Sequence, residues 1–292
     1  MKILLIGKNG QVGRELQRTL LPLGEVVALG RDNLDLGDLA AVRQVLERHG
    51  AGIIVNASAY TAVDRAETDE ATAQAVNAVA VGAMAEYARA HGALLVHYST
   101  DYVFDGAKDA PYVEGDATAP QSAYGRSKRA GEEAILASGC KALVFRTSWV
   151  FSAHGGNFIK TMLRLAGERD SLNVVADQFG APTSAELIAD VTALAIAACR
   201  RGALAEGIYH LTASGATSWH GLACFAIERA RVRGAAIKVD ATQINAIPTE
   251  AYPLPAKRPR NSRLDTGKLS GALELQLPDW KIYVDRLIDQ LY

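Results

Sequence analysis

The sequence predicts an α/β fold built around a doubly wound parallel sheet, and three observations support this prediction. Short apolar segments alternate with helical periodicity over the first 150 residues. The first apolar segment runs into a glycine-rich turn, and small or hydroxyl-bearing residues follow the later ones. Regular alternation of this kind favours a parallel sheet with helices on both faces. With 292 residues and 49% hydrophobic content, the chain can build a substantial core.

The first predicted strand, residues 2–6, leads into the turn Gly7-Lys8-Asn9-Gly10-Gln11-Val12-Gly13 and a predicted helix over 14–21. Gly7 permits a tight turn, Gly10 lets a pyrophosphate approach the backbone, and Gly13 lets the helix pack closely on the strand. The helix N-terminus also offers free N–H groups to an anion. The spacing predicts a Rossmann-type dinucleotide site. The alternative is a turn that serves close packing alone.

The second predicted strand, residues 25–29, ends at Gly30-Arg31-Asp32, where a dinucleotide fold places its ribose-reading residue. The Arg31 guanidinium suits the 2′-phosphate of NADP, and the alternative is a solvated loop arginine. Asp35 is predicted to cap a helix that begins near Asp38, with a place beside the adenine as the alternative.

The next two strands end in residues suited to a ligand-binding edge. Residues 52–55 run into Asn56-Ala57-Ser58-Ala59, and residues 93–98 run into Ser99-Thr100. Open α/β sheets bind ligands at these carboxyl ends. Between the strands we expect a helix over 69–90, in which Asn77 is interpreted as a satisfied hydrogen bonder rather than a catalytic relay. The irregular stretch 107–120 predicts a functional loop or lid.

Tyr124 and Lys128 lie four residues apart at the start of the next predicted helix, so both side chains share one face. A tyrosine has a pKa near ~10, and a neighbouring ammonium group lowers that pKa. A shift of roughly three units requires about 4 kcal/mol of differential stabilisation. Because Thr100 and Tyr124 come from elements that open on the same edge, they are predicted to deliver a proton to a bound carbonyl.

The pattern becomes less regular after a fifth predicted strand at 142–145. We predict a sixth strand over 173–176, helices over 185–199 and 219–231, and a short strand over 208–211. Residues 1–150 are predicted to form the dinucleotide-binding domain. Residues 151–292 are predicted to form mainly a smaller substrate-binding domain, with some segments returning to the first sheet. The segment 248–263 carries four prolines and four cationic side chains, and we interpret it as a structured arm, with a solvated tail as the alternative.

Composition excludes several kinds of function. The chain has 31 Lys and Arg against 32 Asp and Glu, so no overall field attracts nucleic acid or an anionic membrane. Its three cysteines are far apart and form no CxxC pair, which fits a reducing compartment. No apolar run approaches the roughly 20 residues of a membrane span, and the apolar start is shorter than a signal-peptide core. We therefore expect a cytoplasmic protein without nucleic-acid or membrane partners.

Taken together, the glycine turn, the small residues after strand three, Ser99-Thr100 after strand four and the YxxxK pair resemble the extended short-chain dehydrogenase/reductase family. The resemblance is carried further by Ser99-Thr100-Asp101-Tyr102-Val103-Phe104-Asp105-Gly106 and Arg146-Thr147-Ser148-Trp149-Val150-Phe151. Later segments extend it, namely Asp177-Gln178-Phe179-Gly180-Ala181-Pro182-Thr183 and Arg258-Pro259-Arg260-Asn261-Ser262-Arg263-Leu264. Matches extend from residue 2 to about residue 268.

This resemblance implies reduction of the 4-keto group of dTDP-4-dehydro-L-rhamnose to dTDP-L-rhamnose with NADPH or NADH. Tyr124 would donate the proton, Lys128 would bind the nicotinamide ribose and lower the tyrosine pKa, and Thr100 would hydrogen-bond the sugar near O4. The implied cofactor residues are Gly7, Asn9, Gly10, Gln11, Val12, Gly13, Arg31, Asp35, Leu36, Ala57, Ala59, Tyr60, Thr61, Tyr98, Tyr124 and Lys128. The implied substrate residues are Thr100, Asp101, Tyr102, Trp149, Asn261 and Ser262.

We also expect a homodimer. Some members of the family place Mg²⁺ at a dimer contact through glutamates that correspond to Glu15 and Glu186, and the alternative is two solvated surface charges. The sequence shows no complete metal-ligand set. The nearest alternative function is a 4,6-dehydratase or 4-epimerase on the same scaffold. A dehydratase usually has two acidic residues beside the threonine, whereas here Tyr102 follows Asp101. A second alternative is a non-catalytic dinucleotide-binding regulatory subunit, which could lose the tyrosine or the lysine.

Overall fold

The structure is a computed structural model that describes residues 1–292. It contains twelve strands: β1 Lys2–Ile6, β2 Glu25–Leu29, β3 Ile53–Asn56, β4 Leu94–Thr100, β5 Lys141–Thr147, β6 Val150–Phe151, β7 Leu172–Val175, β8 Phe179–Gly180, β9 Thr183–Ser184, β10 Gly207–His210, β11 Thr217–Ser218 and β12 Ile244–Ile247. The main sheet has six parallel strands in the order β10-β5-β4-β3-β1-β2. The predicted doubly wound parallel sheet is therefore confirmed.

Eleven helices connect or cover these strands: α1 Gln11–Thr19, α2 Leu39–His49, α3 Val63–Ala66, α4 Glu70–Gln74, α5 Ala80–His91, α6 Ala123–Ser138, α7 Phe158–Glu168, α8 Ala185–Arg200, α9 Trp219–Val232, α10 Gly267–Leu273 and α11 Trp280–Leu291. Short 3₁₀ turns occupy Leu21–Leu23, Asp101–Val103, Ala241–Gln243 and Thr249–Ala251. None of the helices combines the length and the apolar character that crossing a membrane requires.

Side chains of the main sheet point alternately to two buried faces. Ile3 and Leu5 of β1 join the core cluster that contains residues of α1, α7, α8, α9 and α11. Leu4 and Ile6 join the other cluster, which contains residues of α2, α5 and α6. Strands that are covered on both faces require apolar residues at consecutive positions, which explains why β1 reads Ile-Leu-Leu-Ile. This double cover leaves the carboxyl edge of the sheet as the open side.

The helix predicted over 69–90 is interrupted at its middle. Residues Ala75–Val79 form a π-helical segment between α4 and α5. The buried Asn77 lies in this segment, and its side chain bonds groups outside the helix. A π-helical segment of this kind is often found at functional sites.

Two predicted elements differ from the structure. Residues 172–175 do not join the main sheet, because β7 pairs with β12, and the sixth strand of the main sheet is instead β10. Asp35 does not cap α2: its Oδ1 accepts the N–H of Gly37 at 2.9 Å, while Asp38 accepts the N–H of Ala41 at 3.0 Å. Asp38 has this role because it directly precedes the first helical residue.

The sheet and its core extend beyond residue 150. β10 and α8 come from the second half of the chain, and the cluster that contains Leu16 also contains Leu187, Leu222 and Trp280. Three two-stranded sheets, β11-β8, β12-β7 and β6-β9, lie outside the main sheet. Segments of the second half thus return to the first sheet.

Candidate active site

The turn between β1 and α1 has the geometry of an anion cradle. Gly7 has a φ of 96°, and a Cβ there would lie 2.7 Å from Ser58 Oγ, so only glycine fits. A Cβ on Gly13 would collide with the carbonyl oxygen of Gly7. Gly10 precedes α1 in an extended conformation, and no side chain caps the first turn of the helix. The free N–H groups of the first turn of α1 can therefore bind a pyrophosphate.

The end of β2 lies beside this turn. Lys8 Nζ donates to Asn33 Oδ1 at 2.9 Å and lies 3.8 Å from Asp32. The Arg31 guanidinium is exposed and makes no hydrogen bond or ion pair, so it is available to a phosphate. Leu36 is buried in the hydrophobic core. Lys8 and Asn33 were not among the predicted site residues.

The segment after β3 forms the neighbouring part of the edge. Ala57 and Ala59 are half-buried, and Thr61 is exposed. The Tyr60 N–H donates to Asn77 Oδ1 at 2.8 Å, and the Tyr60 carbonyl accepts from Asn77 Nδ2 at 3.1 Å. Asn77 Nδ2 also donates to Ser127 Oγ at 2.9 Å. Asn77 thus makes structural hydrogen bonds that join this edge to α6.

Helix α6 places Tyr124 and Lys128 at the same edge. The helix starts after Ser122, whose Oγ accepts the N–H of Gly125 at 3.1 Å. Gly125 lies against the Tyr102 carbonyl, where a Cβ would collide with it. The Tyr124 ring packs edge-to-face on Tyr102 at 5.6 Å, and the residue as a whole is half-buried. This close packing fixes Tyr124 against the segment that follows β4.

Lys128 is almost completely buried and reaches β4. Its Nζ donates to the Tyr98 carbonyl at 2.6 Å and lies 3.1 Å from His97 Nε2. The Tyr98 hydroxyl lies 2.9 Å from Thr192 Oγ1 of α8. Lys128 therefore makes its short polar contacts with β4, and none of its hydrogen bonds goes to Tyr124.

The predicted direction of the Tyr124 pKa shift is wrong for this structure. Burial raises the pKa of Tyr124 above its ordinary value, and the charge of Asp101 raises it further, while a hydrogen bond with Thr100 opposes both. Burial lowers the pKa of Lys128 to about 8, against the opposing charge of Glu132. Spacing on a helix face predicts that two side chains are neighbours, but it does not show where the lysine ammonium finds its partners.

Thr100 and Asp101 form the polar end of β4. Thr100 Oγ1 donates to Asp101 Oδ1 at 3.0 Å and accepts the N–H of Tyr102 at 3.2 Å. Asp101 is buried, and its second carboxylate oxygen, Oδ2, has no hydrogen-bond partner. Burial raises the pKa of Asp101 to about 6. Hydrogen bonds with Ser262 and Thr100 oppose this rise in the Asp101 pKa.

A cavity of about 930 Å³ lies next to the segment that follows Thr100. Its walls come from residues 105–107, α7, β7 and the 249–260 part of the arm. The Trp219 ring lines it and stacks on Trp149 at 3.6 Å, while Trp219 Nε1 donates to Gln178 Oε1 at 3.1 Å. Trp149 itself has a φ of 51°, a conformation that is uncommon for a residue with a side chain. The cavity has the size of a small-molecule site.

The arm is structured and ends at the cavity. Arg258 donates two hydrogen bonds to the Asp64 carboxylate, at 2.9 and 2.7 Å, and its side chain lines the cavity together with Arg260. Asn261 Nδ2 donates to the carbonyls of Lys108 and Ala110, at 2.6 and 2.9 Å. Ser262 is buried, and its N–H donates to the Phe179 carbonyl. Three cationic residues of the arm, Lys257, Arg258 and Arg260, therefore line the cavity, whereas Asn261 and Ser262 do not.

The predicted lid, residues 107–120, contacts the sheet through Glu114, beside a buried ion pair of β5 and α6. Arg146 of β5 donates to both carboxylate oxygens of Glu132, at 2.9 and 2.7 Å, and its Nη1 points to the Glu114 carbonyl at 3.4 Å. The Glu114 side chain accepts the N–H of His210 at 2.9 Å. Glu132 and His97 were not among the predicted site residues, because local sequence gives little indication of which long-range partner a buried polar side chain finds.

The side chains considered for Mg²⁺ do not form a ligand cluster. Glu186 accepts from Arg286 Nε and Gln290 Nε2, both at 3.0 Å, and Glu15 makes no ion pair or hydrogen bond with it. No three His, Cys, Asp or Glu side chains lie close enough together to hold a metal ion. Glu15 and Glu186 therefore do not form a metal site within one copy of the chain.

The parallel sheet, the cradle at α1 and the YxxxK pair define a Rossmann-type fold of the short-chain dehydrogenase/reductase kind. A family model described as the RmlD substrate binding domain matches residues 1–292, and the chain belongs to this family. A curated relative from Burkholderia thailandensis, named dTDP-4-dehydrorhamnose reductase, is 50% identical over 295 residues, covering 100% of this chain and 99% of its own.

Two solved structures have the same fold over the full chain. A dTDP-4-dehydrorhamnose reductase from Clostridium acetobutylicum is 36% identical, with a TM-score of 0.89 and coverage of 100% of this chain and 99% of its own. A Bacillus anthracis protein of the same name, in complex with NADP, is 32% identical, with a TM-score of 0.90 and the same coverage. These relatives confirm the predicted family, fold and oxidoreductase class.

Proposed function

We propose that this chain reduces the 4-keto group of dTDP-4-dehydro-L-rhamnose to give dTDP-L-rhamnose, with NADPH or NADH as the reductant. The observation that carries the proposal is the convergence of Tyr124, Thr100 and Lys128 at the carboxyl edge of the sheet, beside the cradle at α1. The names of the full-length relatives support the same substrate. We also propose that the protein works in the cytoplasm as a homodimer.

The residues at the edge of the sheet fit a dinucleotide. The uncapped N-terminus of α1 would hold the pyrophosphate, and the small side chains of Ala57 and Ala59 leave room for a flat ring beside β3. The exposed Arg31 would hold the 2′-phosphate of NADPH, and Lys128 the nicotinamide ribose. When bound, the reduced nicotinamide supplies the hydride.

Tyr124 would donate the proton to the O4 oxygen of the sugar. A proton donor must hold its proton before the reaction, and the raised pKa of Tyr124 keeps the phenol neutral at physiological pH. Thr100 would orient O4, because its hydroxyl lies at the end of β4 and is fixed by Asp101 and the Tyr102 N–H. Asp101, which holds the Thr100 hydroxyl, belongs to the same proposed substrate set. Positioning of this kind contributes as much as the proton transfer itself.

The cavity beside the arm would hold the nucleotide part of the substrate. Arg258 and Arg260 bring positive charge suited to a diphosphate, and Trp219 and Phe158 offer aromatic surface to a base. On this basis residues 1–150 form the cofactor-binding domain, and residues 151–292 supply most of the substrate-binding domain. Tyr102 and Trp149 complete the proposed substrate set, while Asn261 and Ser262 would act by holding the arm and lid in place.

The experiment that tests the proposal mixes the purified protein with NADPH and dTDP-4-dehydrorhamnose and follows both cofactor absorbance and product. We expect one NADPH to be consumed for each dTDP-L-rhamnose formed. An epimerase or dehydratase would convert the sugar without net loss of NADPH, and a regulatory subunit would bind NADPH without turnover. Either of these results would overturn the proposal.

A further inference from the structure

A buried chain of polar groups runs from the end of β3 to Lys128. The Ser58 N–H donates to Asn56 Oδ1 at 3.1 Å. Asn56 Nδ2 lies 3.2 Å from His97 Nδ1, and His97 Nε2 lies 3.1 Å from Lys128 Nζ. Asn56 and His97 are 0% exposed and Lys128 is 1% exposed, so bulk water cannot repair a mismatched contact.

The direction of every hydrogen bond in this chain follows from its first member. A backbone N–H can only donate, so Ser58 fixes the oxygen of the Asn56 amide toward itself and the NH₂ group toward His97. The NH₂ group also can only donate, so His97 Nδ1 must accept. A neutral imidazole then carries its one proton on Nε2, which faces Lys128 Nζ. The lysine nitrogen can accept that proton only as a neutral amine.

The ammonium form of Lys128 fits this chain less well. With Lys128 charged, either its N–H faces His97 Nε2–H, or the imidazole proton moves to Nδ1 and faces the Asn56 NH₂ group. Both arrangements leave two buried donors in contact without an acceptor between them. An unmatched buried donor is unfavourable, so the chain stabilises the neutral amine relative to the ammonium.

We infer that His97 is a positioning residue that acts through Lys128, because its tautomer, set by Asn56 and the Ser58 N–H, favours the neutral amine of this lysine. The inference rests on the proposed function only for the role of Lys128 in the reaction. The polarity of the hydrogen bonds does not depend on that role.

Other groups around Lys128 act on its charge as well. The Tyr98 carbonyl accepts from Nζ at 2.6 Å in either charge state, and the carboxylate of Glu132, one turn further along α6, favours the ammonium. Burial outweighs Glu132 and lowers the pKa of Lys128 to about 8. Burial is the larger cause that lowers the pKa of His97 well below its ordinary value, and a charge on Lys128 lowers it further, so the imidazole is neutral in either charge state of the lysine. His97 therefore carries a single imidazole proton, as the hydrogen-bond pattern requires.

The first test reads the tautomer of His97 by NMR of the ¹⁵N-histidine-labelled protein, without substrate, at a pH above the lysine pKa of about 8. The resonances of His97 are assigned by their loss in His97→Gln. If that variant does not fold, they are assigned by replacing the other five histidines one at a time. We expect a protonated Nε2 and an unprotonated Nδ1. The Nδ1–H tautomer, or an imidazolium, would overturn the inference, and neither result depends on whether the protein reduces a keto sugar.

The second test reverses the polarity of the chain with the isosteric substitution Asn56→Asp. The carboxylate can accept from both the Ser58 N–H and His97 Nδ1–H, so the imidazole proton moves to Nδ1 and Nε2 accepts from the ammonium. We expect the pKa of Lys128, read from the ¹³Cε shift that is absent in Lys128→Met, to rise by about one unit or more. Asn245→Asp on exposed β12 is the matched control and should leave both readouts unchanged.

The two readouts of Asn56→Asp distinguish a reversal of the hydrogen bonds from simple attraction between the new carboxylate and the Lys128 ammonium. A higher lysine pKa with His97 still in its Nε2–H tautomer would mean that the new carboxylate acts by charge alone, and it would contradict the inference. An unchanged lysine pKa would contradict it as well. If Asn56→Asp does not fold, the tautomer in the parental protein decides the question.

Discussion

The carboxyl edge of the sheet and the 248–263 arm hold their site residues in different ways. At the edge, Lys128 is buried, and its partners are His97 and Tyr98, two consecutive residues of β4. On the arm, Arg258 is held by Asp64, 194 residues away in the sequence, through an ion pair that is partly exposed. The edge is therefore fixed by the core of the fold, whereas the arm depends on a few polar contacts. Substitutions in the two regions should affect different quantities.

Tyr124→Phe should give the largest loss of activity. The phenyl ring keeps the packing on Tyr102, but the proton donor is removed, so kcat should fall by ~10² to 10⁴. NADPH affinity, measured by fluorescence titration, should stay near the parental value because the cradle at α1 is untouched. A variant that reduces the keto sugar at the parental rate would remove Tyr124 from the mechanism.

Glu132→Gln should give the largest loss of stability at the edge. The substitution leaves the buried Arg146 guanidinium without its carboxylate, which typically costs about 3–5 kcal/mol of unfolding free energy. Urea denaturation measures this loss. The control is Glu168→Gln, which removes the partner of Arg164 in an exposed pair on α7 and should cost no more than about 0.5 kcal/mol. Equal losses in the two variants would show that the Glu132–Arg146 pair does not stabilise the edge.

Arg258→Met should weaken substrate binding and leave cofactor binding unchanged. It removes the two hydrogen bonds to Asp64 and a positive charge at the cavity, so KM for the sugar nucleotide should rise about tenfold to a hundredfold. Steady-state kinetics with each substrate varied in turn measures both KM values. Arg164→Met, at an exposed side chain paired with Glu168 on α7, is the matched control and should leave both KM values unchanged. An increase confined to the KM for NADPH would contradict the assignment of Arg258 to the sugar nucleotide.

Arg31→Met should have the smallest effect, and it tests the cofactor edge alone. The exposed guanidinium can pair with a 2′-phosphate in solvent, so kcat/KM for NADPH should fall by about tenfold while that for NADH is unchanged. The ratio of the two kcat/KM values measures the effect directly. Parallel losses for both cofactors would mean that Arg31 does not read the 2′-phosphate.

The same difference between the two regions explains what the sequence predicted. The strands of the main sheet through β5 have consecutive apolar residues that local pattern reveals, and the glycine turn follows from its spacing. β7 and β10 are both short and apolar, and only their long-range pairing decides which one joins the main sheet. The arm was recognisable from its prolines and cations, but its contact with Asp64 depends on folding of the whole chain.

The polar surroundings of the catalytic pair were harder to predict. The four-residue spacing correctly placed Tyr124 and Lys128 on one helix, but the hydrogen bonds of Lys128 go to β4, and burial raises the tyrosine pKa instead of lowering it. The sequence did hold one signal of these polar partners. His97 lies in the apolar strand β4, and a buried imidazole must find polar partners. Trp219 and Phe158 were not among the predicted site residues, and the structure places them along the cavity.

The pH dependence of kcat tests the central claim most directly, because it reports the charge of Lys128 and the proton of Tyr124 together. The pKa of Lys128 is lowered to about 8, so below that pH the lysine is an ammonium, the form proposed to hold the nicotinamide ribose, and kcat for keto-sugar reduction should fall as pH rises through it. The raised pKa of Tyr124 adds no second fall below its ordinary value of about 10. A kcat that stays level through pH 8, or that rises with pH as a phenolate base would require, would contradict this account.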